Sequence, residues 1–156
     1  LPLALLAVIL LSCKNGGPES KVGNPAPSLS LSDLNGNIVK LESLRGKVVI
    51  LNFWSYTWSV CVADLPLLEQ DFYYPYGDKV EILAVCLDKN EEKIISAILP
   101  FNLSYRILID KGRTAAKDYK VRGIPLNLII DKEGVIRYRQ TGYNPGAMRE
   151  LVEQLL

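Results

Sequence analysis

"FWSYTWSVCVADLP", residues 53–66, follows directly on Val48-Val49-Ile50-Leu51 and reads as a strand that hands a cysteine to the start of a helix. The run "KVVILNFW" (47–54) is almost continuously apolar, the pattern of a strand covered on both faces within a mainly parallel sheet. Ser59 is a candidate helix cap. Val60, Leu65, Leu67 and Leu68 supply a buried side, while Asp64, Glu69, Gln70 and Asp71 face outward or into a cleft. Pro66 falls inside this helix and predicts a kink, because it lacks an N–H and crowds the preceding turn. A disulfide-cycling site is built on Cys-x-x-Cys, whereas Trp58-Ser59-Val60-Cys61 offers a single thiol.

The flanking sequence supplies the rest of a sheet. "LSLSDLNGNIVKLESL" (29–44) alternates apolar and polar residues about Asn35-Gly36-Asn37, a hairpin signal. "KVEILAVCLD" (79–88) is a second buried strand carrying Cys86 near its end, and "NEEKIISAIL" (90–99) is a helix opened by Asn90 and early acids. "YRILID" (105–110) and "TAAKDY" (114–119) read as strand and helix. "VRGIPLNLIID" (121–131) then turns at Asp131–Gly134 into "VIRYRQTGY" (135–143) as an antiparallel hairpin. "GAMRELVEQLL" (146–156) closes the chain as a helix with Met148, Leu151, Val152 and Leu155 on one face. Strand and helix alternation ending in a hairpin and helix predicts an α/β fold, a central mixed β-sheet flanked by helices with an added N-terminal β-hairpin.

At 156 residues the chain suits one domain with a substantial core. Its formal charge of +1 leaves no electrostatic footprint for nucleic acid. Histidine is absent, which excludes Ser-His-Asp and Cys-His catalysis within the chain and removes the commonest metal ligand. Cys13, Cys61 and Cys86 lie far apart without metal-ligand spacing, so no metal, no other cofactor and no disulfide framework is expected. The opening "LPLALLAVILLS" (1–12) is too short to span a bilayer comfortably and has the character of a signal-peptide apolar region without its basic start. "LLSC" resembles a bacterial lipobox. On that reading Cys13 is lipidated, residues 13–27 are a flexible Gly/Pro/Ser/Asn-rich tether, and the domain spans 28–156. The competing reading is an N-terminal helix with an incidental cysteine.

Two segments carry a family resemblance. "KVVILNFWSYTWSVCVADLP" is similar to the strand and helix of the membrane-anchored, AhpC/TSA-related redoxins of the ResA and TlpA type, in which Phe-Trp precedes Cys-x-x-Cys and an acid and a proline follow. "VRGIPLNLIIDKEGVI" resembles their second signature, where Gly-x-Pro brings a cis proline to the active site. The resemblance implies a thioredoxin-like fold and thiol-disulfide exchange at the bacterial cell envelope, with an extended, cysteine-bearing protein as partner, often apocytochrome c before haem attachment. Laid over Phe53, Trp54 and Pro66 without a gap, the pattern puts the family's attacking cysteine at Trp58 and its resolving cysteine at Cys61. Asp64 matches the acid, Asn52 the polar residue before Phe-Trp, and Pro125, after Ile124, the cis proline.

Cys61 and Asp64 are thus the catalytic candidates, and Trp58, Ile124 and Pro125 the substrate-binding ones. Helix N–H groups favour a Cys61 thiolate while burial and Asp64 oppose it, so Cys61 is either reactive or a packed, inert cysteine. Asp64 is either a proton shuttle or a solvated helix acid. Trp58 is a binding platform or a groove filler. Trp54 reads as core, and Cys86 as a small buried hydrophobe with pairing to Cys61 as the alternative. Three functions compete: monothiol exchange, a peroxiredoxin-like peroxidase using Cys61, and a non-catalytic peptide-binding module. The peroxidase pattern places threonine three residues before the cysteine, where this chain has Trp58 and offers Thr57 one residue off.

Overall fold

Every residue of β3 (Val48–Trp54) is buried, which makes it the strand around which the rest is layered. The structure, a computed structural model, describes residues 20–156; the apolar opening segment and Cys13 lie outside the described residues. β3 pairs in parallel with β4 (Val80–Cys86), and β4 in parallel with β5 (Arg106–Ile109). On its other side β3 runs antiparallel to β6 (Leu126–Ile130), which forms a hairpin with β7 (Ile136–Thr141). β1 (Ser30–Asp33) and β2 (Ile38–Lys40) are the expected hairpin, turned at Gly36 with φ +83°. Asp33 Oδ1 accepts the N–H groups of Asn35 and Asn37 across that turn. β1 also pairs with β5, so the hairpin extends one mixed sheet of order β2-β1-β5-β4-β3-β6-β7.

Side chains alternate along β3 and so feed two cores. Val49, Leu51 and Phe53 pack with Tyr119, Ala115 and Ala116 beside α4 (Thr114–Asp118). Val48, Ile50 and Trp54 pack with Leu65 and Leu68 of α1 (Ser59–Leu68) and Phe72 beyond it. That second core also takes in Ile94 of α3 (Glu91–Ile98) and Met148 and Val152 of α5 (Pro145–Leu155). Helices therefore cover both faces, as expected.

Four expectations are corrected. Ser59 is the first residue of α1 and Trp58 its N-cap, with no side-chain cap, because Ser55 and Asp88 organise the turn instead. Val60 and Leu67 are 60% and 39% exposed and share an outward face, so the buried side of α1 rests on Cys61, Asp64, Leu65 and Leu68. Glu69 points inward, since both its carboxylate oxygens accept the Ser104 N–H. Residues 20–27 lie on the domain: Gly23 and Ala26 donate backbone bonds to Ile136 and Gly134, and Ser20 Oγ donates to the Tyr119 carbonyl. α1 continues through Pro66 to Leu68 and is followed by a π-helical stretch, Glu69–Tyr73, which runs into α2 (Tyr74–Tyr76).

Candidate functional site

Parallel pairing sets Trp54 opposite Cys86, so the segments leaving β3 and β4 meet at one end of the sheet. There Asp88 Oδ2 accepts from Ser55 Oγ at 2.8 Å, from the Tyr56 N–H at 2.8 Å and from Cys86 Sγ at 3.5 Å. Ser55 spends its only hydroxyl proton on Asp88, so the 2.7 Å contact with Thr57 Oγ1 is a bond donated by Thr57. The Thr57 N–H also donates to Ser55 Oγ at 3.1 Å. Thr57 is thereby committed to the turn, which gives the peroxidase pattern no support.

This turn delivers Trp58 and Cys61 to the first turn of α1. Trp58 has extended backbone, and its side chain is 61% exposed. Cys61, the third helical residue, is only 1% exposed. Burial pushes its thiol up; backbone bonds at Ser55 and at Cys61 itself pull it down, and the Asp64 and Asp88 carboxylates push it up again. The balance is upward, so the neutral thiol is the resting form. Asp64 lies one turn on. It is buried, Oδ2 has no hydrogen-bond partner among the described residues, and burial raises its carboxyl above the ordinary range. Cys86 is fully buried and free, as is Cys61, and burial followed by the Asp88 charge pushes its thiol up to about 12.

The Ile124–Pro125 peptide is cis, and the loop that carries it faces this turn. Trp58 and Ile124 line one cavity of about 240 Å³ with Ser55, Thr57 and Asp88. A buried asparagine pair holds the loop in position. Asn52 of β3 sits opposite Asn127 of β6 and donates to its Oδ1 at 2.8 Å. Asn127 Nδ2 donates to the Gly142 carbonyl, and the Gly142 N–H donates to the Pro125 carbonyl, each at 2.8 Å. A polar residue inside an apolar strand is therefore the anchor of the proline loop.

Trp58 and Ile124 thus share one cavity, with Pro125 next to Ile124 in the chain and Cys61 and Asp64 following Trp58 on α1. Asp88, Asn127, Arg113 and Arg122 escaped the sequence reading. The polar residue closing "AVCLD" at the carboxyl end of a parallel strand was the available signal for Asp88.

The family model described as the AhpC/TSA family matches residues 22–139. Thiol-disulfide oxidoreductase ResA of Bacillus cereus is 32% identical over 119 residues, 76% of this chain and 68% of that one. Among solved structures, the thioredoxin domain of a thiol-disulfide oxidoreductase from Bacteroides vulgatus superposes with TM-score 0.76 at 27% identity, over 86% of this chain and 96% of that one. The exposed lipoprotein thioredoxin of Streptococcus pneumoniae gives 0.70 at 25% identity, over 82% and 99%. Fold and sequence agree over most of its length, and the chain belongs to the AhpC/TSA family, among the thioredoxin-like redoxins of the ResA type.

Proposed function

We propose that this chain is a lipid-anchored redoxin of the bacterial cell envelope that carries out thiol-disulfide exchange through one thiol, Cys61, with Trp58 standing where the family's first cysteine lies. The observation that carries the reading is the position of Cys61 in the first turn of α1, beside the turn held by Asp88 and next to the cis-Pro125 loop. Relatives named thiol-disulfide oxidoreductases supply the reaction class. The Cys61 thiolate attacks a partner disulfide, one partner sulfur becomes bonded to Cys61, and the other leaves as a thiolate. A thiol from outside the helix then attacks the mixed disulfide and returns Cys61 as thiolate, because α1 has no second cysteine to do so.

The raised thiol makes this chemistry conditional on docking. A partner segment lying against Trp58, Ile124 and Pro125 uses the indole face as a platform and pairs with the backbone beside the proline. Asp64, in its ionised form, takes the Cys61 proton and later returns it. Cys13, by its lipobox-like context, anchors the chain to the membrane, and haem-protein maturation or general envelope redox balance is the setting that the resemblance implies.

The test uses the chain with Cys13→Ser and Cys86→Ser, incubated with a disulfide-bearing peptide and analysed by mass spectrometry. A mixed disulfide on Cys61, removed by added thiol and absent in Cys61→Ser, is the expected result. The burial of Cys61 favours a second reading, a non-catalytic peptide-binding module. Peptide binding without any mixed disulfide would establish that module in place of the oxidoreductase.

A further inference from the structure

Positive charge is concentrated where a partner would dock. The cavity that holds Trp58 and Ile124 is also lined by Arg113 and Arg122. A second cavity of about 200 Å³ shares Arg122 and Gly123 with it and adds Lys120 and Arg139. Arg113 and Arg122 are exposed, and neither they nor Arg139 pairs with a carboxylate among the described residues. Arg139 donates Nη2 to the Lys120 carbonyl, while its buried Nη1 has no acceptor among the described residues. Among the described residues Asp88 is the one acid lining either cavity, and its Oδ2 is already occupied by Ser55, Tyr56 and Cys86. The chain as a whole carries 18 basic and 17 acidic residues, so this local excess is a property of the groove and not of the composition.

We infer that the groove along the cis-proline loop selects extended partner segments with acidic side chains next to the residue seated against Trp58. The inference rests on the docking mode of the proposed function and adds the chemical class of the partner. Arg113 and Arg122 flank the Trp58 side, and Arg122 and Arg139 continue the charge past Gly123. Carboxylates two residues apart on an extended segment fall on one face about 7 Å apart, so alternate acids present their charge to the groove together. Guanidinium groups match carboxylates in planar geometry, which favours a polypeptide acid over a diffuse anionic field. The apolar Trp58 and Ile124 at the mouth of the first cavity suit a peptide backbone and side chains in the same way.

The experiment measures fluorescence anisotropy of labelled ten-residue peptides with the full chain carrying Cys61→Ser, so that no covalent step contributes. The peptides hold a central serine flanked by Asp/Glu, by Asn/Gln or by Lys. The acidic peptide should bind about ten-fold more tightly than the basic one at low salt, as a few part-exposed ion pairs allow, with the gap closing as salt rises. Arg113→Gln with Arg122→Gln should reduce the gap between acidic and basic peptides to about two-fold, each affinity being taken relative to that of the Asn/Gln peptide for the same variant. Equal affinity for acidic and basic peptides would overturn the inference, as would binding to phosphatidylglycerol vesicles that Arg113→Gln with Arg122→Gln weakens more than it weakens binding of the acidic peptide. The chain with Cys13→Ser and Cys86→Ser, Cys61 retained, is assayed in parallel for mixed-disulfide formation with cysteine versions of the same peptides supplied as their glutathione disulfides, so that glutathione leaves as the thiolate. Exchange without charge preference sinks this inference alone, and charge preference without exchange sinks only the catalytic reading.

Discussion

Replacing Trp58 by cysteine puts a second thiol where the resemblance sets the family's first one, and the structure fixes the size of the effect. Trp58 is 61% exposed, so about two-fifths of a side chain of roughly 200 Å² is covered, some 80 Å². At about 25 cal/mol per Å² this bounds the loss near 2 kcal/mol, and a partly collapsed unfolded chain, together with the area that the smaller side chain keeps covered, brings it to about 1 kcal/mol. A disulfide closing the turn from residue 58 to residue 61 restricts the unfolded chain by about 2 kcal/mol. Reduced Trp58→Cys should therefore unfold in urea about 1 kcal/mol below wild type, and the oxidised form about 1 kcal/mol above it, with unchanged slope. Alkylation of free thiols under oxidant, followed by mass analysis, reports whether residues 58 and 61 have joined. Two thiols that stay free under oxidant would refute the proposed alignment of Trp58 with the family's attacking cysteine.

The other expectations concern the supports of the site. Trp54→Ala empties a fully buried position and should lower stability by about 3–5 kcal/mol in chemical denaturation, against about 1 kcal/mol for Trp58→Ala. Asn127→Ala removes two buried hydrogen bonds and leaves Asn52 without its acceptor. A loss of about 2–3 kcal/mol and faster amide exchange at Gly142 are expected, and unchanged exchange would contradict the anchoring role. Asp64 has a folded pKa raised by burial, so the stability it lends is present below the unfolded value of about 3.9 and lost as pH rises through the folded pKa. Asp64→Asn should then be more stable than wild type at neutral pH, with the gain gone below about pH 4 in a series of urea melts. The same variant removes a charge that pushes the Cys61 thiol up, so its alkylation should set in at lower pH.

The fold was legible because its strands declare themselves. Residues 48–54 are apolar but for Asn52 and residues 80–87 but for Glu81, and each strand is buried on both faces in the sheet. Gly36, and Gly134 at φ +88°, mark real turns; at Gly134 a side chain would collide with the Arg45 guanidinium. The face of α1 was harder to read, since the helix is apolar nearly all round and periodicity could not separate buried Leu65 from exposed Leu67. Glu69 misled for the opposite reason: a helix acid is normally solvated, but this one satisfies the N–H of Ser104, which lies far along the chain. Residues 20–27 have the composition of a tether, and tertiary hydrogen bonds that composition does not announce, from the backbone and from Ser20 and Tyr119, hold them. Within the site, Cys61, Trp58 and Pro125 were readable from two motifs. Asp88 and the arginine groove were not, because separate loops bring those residues together.

The most direct test of the account is the rate of Cys61 alkylation against pH and urea, on a chain with Cys13→Ser and Cys86→Ser. A thiol opened by local motion at the groove should react in the folded protein, rise with pH above the free-cysteine value of about 8.5, and show little dependence on low urea. Alkylation that proceeds only as fast as global unfolding, with the full urea slope, would make Cys61 a structural cysteine and contradict the claim that it is the reactive thiol.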